Sequence, residues 1–256
     1  MERPLRTFTC FGLVIHGFSL VQILDAIQKR METGQASMVV TTNPEILLAA
    51  KQQPSYWNIL RQADLRLVDG FGLQLVGWFK GARPTRITGV TLAEAILQQA
   101  VVHQWKIGLV GGKPGNADKA AWNIRKDYPS LTVYAEQGGS VSMEGIMDEE
   151  GNEALFRLTQ QAPDVLLIAF GHPKQEQWIV RHLASMPSVK LAIGVGGTFE
   201  YWAGDVKRAP KILQKIGLEW LWRLVQQPSR FGRIWNAVIR FPWAALTDEQ
   251  KGIKEF

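Results

Sequence analysis

An α/β fold with a mainly parallel sheet is what this 256-residue sequence predicts. Short β-rich runs alternate with helical stretches along most of the chain, the pattern of strands joined by right-handed crossovers. Several of the runs end in glycine-rich or small polar clusters, where such a sheet turns into its next helix. Apolar residues make up 46% of the chain and charged residues 20%, enough to build a large core without staples.

The elements follow in order. Phe8 to Ile15 reads as a strand and Leu20 to Met31 as a helix capped by Ser19. Met38 to Thr42 reads as a buried strand, after which Asn43-Pro44 opens a helix with proline suited to its first turn. Leu65 to Val68 is a short strand ending at Asp69-Gly70, and Thr91 can cap a helix running to about His103. Ile107 to Val110 is a strand leading through Gly111-Gly112 into a helix from Asn116 to Lys126. Leu131 to Ala135 is a strand, Gly138 to Gly151 a flexible polar connection, and Asn152 to Gln161 a helix. Val165 to Ala169, Lys174 to Ala184 and Lys190 to Val195 read as strand, helix and strand. The whole is Rossmann-like, helices flanking a parallel sheet. A boundary near Gly204 to Pro210 divides an α/β domain, 1–204, from a C-terminal helical appendage, 205–256, rich in tryptophan, arginine and lysine.

Composition narrows the function. Cys10 stands alone, so no internal disulfide forms, and a reducing compartment is favoured. No signal peptide is expected, since Thr9 and Gly12 interrupt the first apolar run. No run approaches the ~18 apolar residues of a membrane span. The net charge of +6 points to an anionic partner, and the excess lies toward the C-terminus. From Asp205 to Trp243, Lys207, Arg208, Lys211, Lys215, Arg223, Arg230, Arg233 and Arg240 are opposed only by Asp205 and Glu219, with Trp220, Trp222, Trp235 and Trp243 interleaved. Ile212, Ile216, Trp220 and Leu224 recur at four-residue spacing, and Phe231, Ile234, Trp235 and Val238 share a further face. Rings beside cations suit the headgroup region of an anionic membrane.

Ligands of open α/β sheets bind at the carboxyl ends of strands. Polar clusters fall there at Thr41-Thr42-Asn43, at Asp69-Gly70, at Gly171 to Glu176 and at Gly194 to Thr198. Asp69 is either a general base or a turn aspartate. Thr41 and Asn43 either cap a helix or bond a ligand at its positive end. Gly194, Gly196 and Gly197 let backbone N–H groups approach an anion closely. Arg83 and Arg86 flank a loop, and a guanidinium there can grip phosphate by two parallel hydrogen bonds. The sequence carries no D-x-D, no zinc spacing among its histidines, no nucleophile elbow and no P-loop.

Taken together these clusters resemble the WecG/TagA/CpsF glycosyltransferases of bacterial surface-polymer synthesis. The resemblance runs from Thr41-Thr42-Asn43-Pro44-Glu45 through Ala63-Asp64, Asp69-Gly70-Phe71-Gly72 and Arg86-Ile87-Thr88-Gly89. It continues through Pro173-Lys174-Gln175-Glu176, Gly194 to Phe199, Lys207 to Pro210 and Leu218 to Leu224, spanning roughly residues 10 to 233. It implies an inverting, metal-independent transferase without a cofactor, moving a sugar from a UDP-sugar to a polyprenyl-diphosphate-linked acceptor. Its members transfer N-acetylmannosamine, its uronic acid or hexoses, so the donor sugar is left open. It implies Asp69 as base, with Thr41, Asn43, Arg86 and Gln175 in the catalytic set. The glycine-rich exit with Thr198 and Glu200 would lie beside the nucleotide, and Arg223, Arg230 and Arg233 match arginines that the appendage is proposed to supply. The expected location is cytoplasmic, peripheral on the inner face of the plasma membrane. An anionic membrane surface is expected as a partner and nucleic acid is not; homo-oligomers stay open.

Two rivals remain. A nucleotide-dependent oxidoreductase would use Gly111-Gly112-Lys113-Pro114-Gly115 with Glu136 on a ribose, although that spacing is not G-x-G-x-x-G. A nonenzymatic basic module, binding membrane or nucleic acid, explains the C-terminus and leaves the strand-end clusters without a role.

Overall fold

The computed structural model describes residues 7–215, 217–228 and 231–248, apart from the side chains at 215, 223 and 233. The first half runs β1 (Thr7–Cys10), β2 (Leu13–His16), α1 (Leu20–Thr33), β3 (Ser37–Thr42), α2 (Pro44–Gln52), α3 (Pro54–Gln62), β4 (Leu65–Val68), α4 (Phe71–Phe79) and α5 (Gly89–His103). The second half runs β5 (Ile107–Gly111), α6 (Asn116–Asp127), β6 (Val133–Glu136), α7 (Glu149–Gln161), β7 (Val165–Ala169), α8 (Lys174–His182), β8 (Leu191–Gly194) and α9 (Thr198–Trp202). After these come α10 (Lys211–Lys215), α11 (Glu219–Gln226), α12 (Phe231–Trp235), a π-helical turn (Asn236–Arg240) and α13 (Phe241–Leu246).

Among the described residues, eight strands form one sheet in the order β1-β2-β4-β3-β8-β7-β5-β6, parallel throughout except for β1 against β2. Strand residues alternate between two cores, as the two-residue period of a pleat demands. Met38, Val40, Leu166, Ile168 and Ala192 face a core filled from α2, α3, α4, α8 and α13. Val39, Leu167, Leu191 and Ile193 face a second core filled from α1, α5, α6 and α9. The fold is thus the expected α/β sandwich of helices around a mainly parallel sheet, followed by a helical C-terminal segment.

Several expectations need correction. The first strand is a hairpin: Phe8 pairs with Ile15 across a two-residue turn at Phe11-Gly12. Ser19 caps α1 through a reciprocal capping box with Gln22, as expected. Thr88, not Thr91, caps α5; its Oγ1 accepts the Thr91 N–H at 3.2 Å, so the helix begins a turn earlier. Residues 138–148 form a small local structure rather than an open connection. Val141 bridges Met147 in antiparallel fashion and both are buried, while Asp148 caps α7 through the Gly151 N–H. The C-terminal apolar stripe starting at Ile212 is not one helical face. The helix breaks between α10 and α11, Ile212 is exposed, and residue 216 lies outside the described residues. Cys10 lies in the first core, and burial pushes its thiol up to about 12.

The C-terminal segment is part of the body. Phe241 is fully buried and meets the Phe11 ring edge-on at 5.9 Å. Gly72 of α4 lies under the π-helical turn, where a Cβ would run into the Ala237 carbonyl. A glycine is therefore needed there for close backbone approach.

Candidate functional site

A cavity of about 560 Å³ opens at the carboxyl ends of β3, β4, β5, β7 and β8, where ligands of such sheets bind and within the usual size of a small-molecule site. Thr41, Asn43, Asp69, Arg86, Gln175, Gly196, Gly197, Thr198 and Glu200 all line it, and Gly217, Glu219 and Trp220 of the C-terminal segment form a further wall. Gly194 lies beneath the lining. Arg230 falls outside the described residues, as do the side chains of Arg223 and Arg233.

Asp69 follows β4, its N–H donating to the Thr42 carbonyl at 2.8 Å. Burial is the largest influence on its carboxyl and pushes it up to about 6. Arg86 and the N–H groups of Gly89 and Gly70 pull the other way, and Glu219 adds to the rise. Gly89 is the first residue of α5, so Asp69 sits at the positive end of a four-turn helix. The result is a carboxylate that ionises near neutrality while keeping enough proton affinity to act as a base.

Arg86 reaches the cavity from the loop before α5. Its guanidinium donates to the Gln214 carbonyl at 2.6 Å and stands 3.6 Å from Glu219 Oε2. The C-terminal segment therefore holds this arginine directly. Glu219 Oε1 lies 3.7 Å from Arg208 Nε, and Arg208 is bound by Glu94 at 2.8 and 2.9 Å and by Thr91 Oγ1 at 2.7 Å. A line of alternating charge runs from Asp69 through Arg86, Glu219 and Arg208 to Glu94.

The other strand ends fit around this pair. Thr41 Oγ1 donates to the Gly194 carbonyl at 3.1 Å, tying β3 to β8. Asn43 caps α2, its Oδ1 accepting the Ile46 N–H at 3.0 Å. Gln175 is buried: Nε2 donates to Glu176 Oε1 at 2.8 Å and Oε1 accepts the Gly196 N–H at 3.1 Å. Glu176, wholly buried, also accepts from the Tyr56 hydroxyl at 3.0 Å, and burial raises its carboxyl. A Cβ on Gly194 would strike the Gln175 amide, so a glycine is needed beside it as well. Gln175 thus reaches the cavity chiefly through the Gly196 turn that it holds. Thr198 Oγ1 donates to the Val195 carbonyl at 2.7 Å, and Glu200 pairs with Lys113 at 3.1 Å.

The oxidoreductase reading loses its anchor here. Glu136 is gripped by Arg157 through Nε at 3.1 and 3.0 Å and Nη2 at 2.9 Å. Among the described residues no three His, Cys, Asp or Glu side chains converge as metal ligands.

The sequence matches the glycosyl transferase WecG/TagA/CpsF family over residues 8–254. The chain belongs to that family. Its relatives include an N-acetylglucosaminyldiphosphoundecaprenol N-acetyl-beta-D-mannosaminyltransferase of Staphylococcus aureus, 32% identical over 197 residues, covering 77% of this chain and 74% of that protein. Enzymes of the same name from Bacillus spizizenii and Bacillus subtilis are 28% and 27% identical. They cover 88% and 98% of this chain, and 84% and 95% of their own length. The chain is a WecG-type glycosyltransferase. The sequence reading gave no individual site role to Lys113, His172 or Glu219 and placed Trp220 on the membrane-facing stripe, yet all four line the cavity. Glu219 carried a signal: it is one of two acids in the strongly basic stretch from Asp205 to Trp243.

Proposed function

We propose that this glycosyltransferase moves a sugar, of the N-acetylmannosamine type, its uronic acid or a hexose, from a UDP-sugar to an acceptor sugar on a polyprenyl diphosphate. The reaction is a single displacement with inversion. An acceptor hydroxyl attacks the anomeric carbon, Asp69 takes its proton, and UDP leaves. The observation that carries this reading is Asp69 itself, raised to about 6 at a cavity wall with Arg86 beside it. Arg86, the turn from Val195 to Thr198 and the start of α5 meet the negative charge that grows on the departing diphosphate. Thr41 and Asn43 shape the floor. Gln175 holds the Gly196 turn, and Glu200 with Lys113 borders the nucleotide. Arg223, Arg230 and Arg233 supply further cations. The acceptors of the named relatives, N-acetylglucosaminyl diphosphoundecaprenols, support the lipid-linked acceptor.

The division into a catalytic domain, 1–204, and an appendage, 205–256, belongs to the same proposal, the appendage docking on an anionic membrane. No helix among the described residues is long and apolar enough to cross a bilayer. Instead Phe231, Trp235, Ile239 and Trp243 are exposed along one helical run, and α13 packs beside α4, whose Trp78 and Phe79 are also exposed. Such a surface enters the headgroup region and keeps the cavity near a lipid-borne substrate.

The test is transfer from a panel of UDP-sugars to N-acetylglucosaminyl diphosphopolyprenol, with and without EDTA. Transfer from one of these donors in the presence of EDTA is the expected result. Absence of transfer from every donor, or transfer that needs Mg²⁺ or Mn²⁺, refutes the corresponding part of the proposal.

A further inference from the structure

We propose that Glu219 is a positioning residue of the donor site: an internal counter-charge that pairs with the Arg86 guanidinium before the donor binds and yields it to the donor's diphosphate. The inference rests on the reading that Arg86 meets that diphosphate.

The geometry sets Glu219 apart from its neighbours. Its side chain is only 14% exposed, yet it touches its two arginines at 3.6 and 3.7 Å, well beyond the 2.7–2.9 Å of a charge-assisted hydrogen bond. Both arginines are anchored tightly elsewhere, Arg86 on the Gln214 carbonyl and Arg208 on Glu94 and Thr91. The guanidiniums therefore keep their places when the carboxylate between them moves. Arg208 Nε, which lies 3.7 Å from Glu219 Oε1, is buried and has no hydrogen-bond partner among the described residues. A buried N–H left without an acceptor is a standing cost that a purely structural ion pair would remove. Here it is a vacant second seat. A shift of about an ångström brings Glu219 within hydrogen-bond reach of Arg208 Nε and away from Arg86.

An arriving diphosphate supplies the reason to move. Two anions cannot share one guanidinium in a half-dry cavity without repulsion. Phosphate oxygens approaching Arg86 push Glu219 toward Arg208, whose free donor then receives it. Until then, Glu219 balances the Arg86 charge, while the Gln214 carbonyl fixes the guanidinium in place. Glu219 thus lowers the affinity for the anion in exchange for a neutralised guanidinium before the donor arrives.

The experiment measures UDP binding by titration calorimetry on the full chain. Glu219→Gln keeps shape and removes the competing charge, so UDP should bind more tightly, on the order of ten-fold. Glu219→Asp, which withdraws the carboxylate by one methylene, should fall between wild type and Glu219→Gln. A residue with a merely structural role would weaken UDP binding when changed. Unchanged or weaker binding in either variant overturns the proposal, and Glu219→Asp carries the test alone should Glu219→Gln fail to fold. Arg86→Ala separates the two readings. If it leaves UDP affinity unchanged, the donor-site reading of Arg86 is wrong and this inference falls with it. If it weakens UDP while the Glu219 variants do not tighten it, only the Glu219 inference is wrong.

Discussion

Replacing Asp69 with asparagine should make the protein more stable and far less active, and pH separates the two effects. In the unfolded chain this carboxyl titrates at 3.8; in the fold it titrates at about 6. Between those values the native state holds a proton that the unfolded chain has lost. The group therefore costs nothing below pH 4, and its cost grows as pH rises and is complete above about 6. A difference of about two pKa units corresponds to at most about 3 kcal/mol. Asparagine abolishes that pH-dependent cost. It also gives up one of the acceptors that meet the Gly70 and Gly89 N–H groups, a loss of about 1–2 kcal/mol at every pH. The net gain at pH 8 is thus about 1–2 kcal/mol, a rise in Tm of roughly 2–6 °C for a chain of this size. At pH 4 the variant should be slightly less stable than wild type. Urea denaturation at the two pH values gives both numbers, and their difference does not depend on the lost hydrogen bond. A stability difference between variant and wild type that does not change with pH refutes the buried-carboxylate argument. Turnover should fall by about 10²–10⁴, and wild-type turnover in the variant would remove Asp69 from the chemistry.

Gly72→Ala tests the seat of the π-helical turn. Helix propensity alone predicts a gain of about 0.5–1 kcal/mol, whereas a Cβ against the Ala237 carbonyl predicts a loss of about 1–3 kcal/mol. A melt that rises would show that the close approach is not required. The paired substitutions Trp235→Ser and Trp243→Ser should abolish sedimentation with anionic vesicles while moving Tm by no more than about 2 °C, since both rings are exposed. Retained vesicle binding would assign the membrane contact elsewhere. Truncation before Asp205 is a poorer test of that contact, because it also removes the buried Phe241 and should lower stability by at least about 3–5 kcal/mol. A truncated chain that melts as wild type does would show that Phe241 adds little to the core.

The sheet was legible where local pattern and tertiary burial agree. Val165–Ala169 and Met38–Thr42 are apolar runs closed by turn residues, and each became a central strand. Phe8 to Ile15 misled because Gly12 read as an interruption of one strand rather than the second residue of a hairpin turn. Helix α4 was missed because Phe71–Phe79 is apolar on nearly all sides and carries two glycines, so no 3.6-residue stripe stands out. Nine-residue α3 was missed because it starts at Pro54, directly after α2 ends. Of the site, the strand-end residues were legible because sheet topology gathers carboxyl ends in one place. The pairings of Arg86 with Gln214 and of Arg208 with Glu94 were not, since they join residues 128 and 114 positions apart.

The state of Cys10 has a practical consequence. It is the only cysteine in the sequence, it is 1% exposed, and its thiol is pushed up to about 12. At neutral pH almost none of it is thiolate, the form that reacts with maleimides and iodoacetamides. The natural protein is therefore silent to thiol labelling as it stands. A cysteine introduced at the exposed Phe231, Trp235, Ile239 or Trp243 would be the sole reactive site, so a spin label or fluorophore there could report depth in a bilayer without first removing a native thiol.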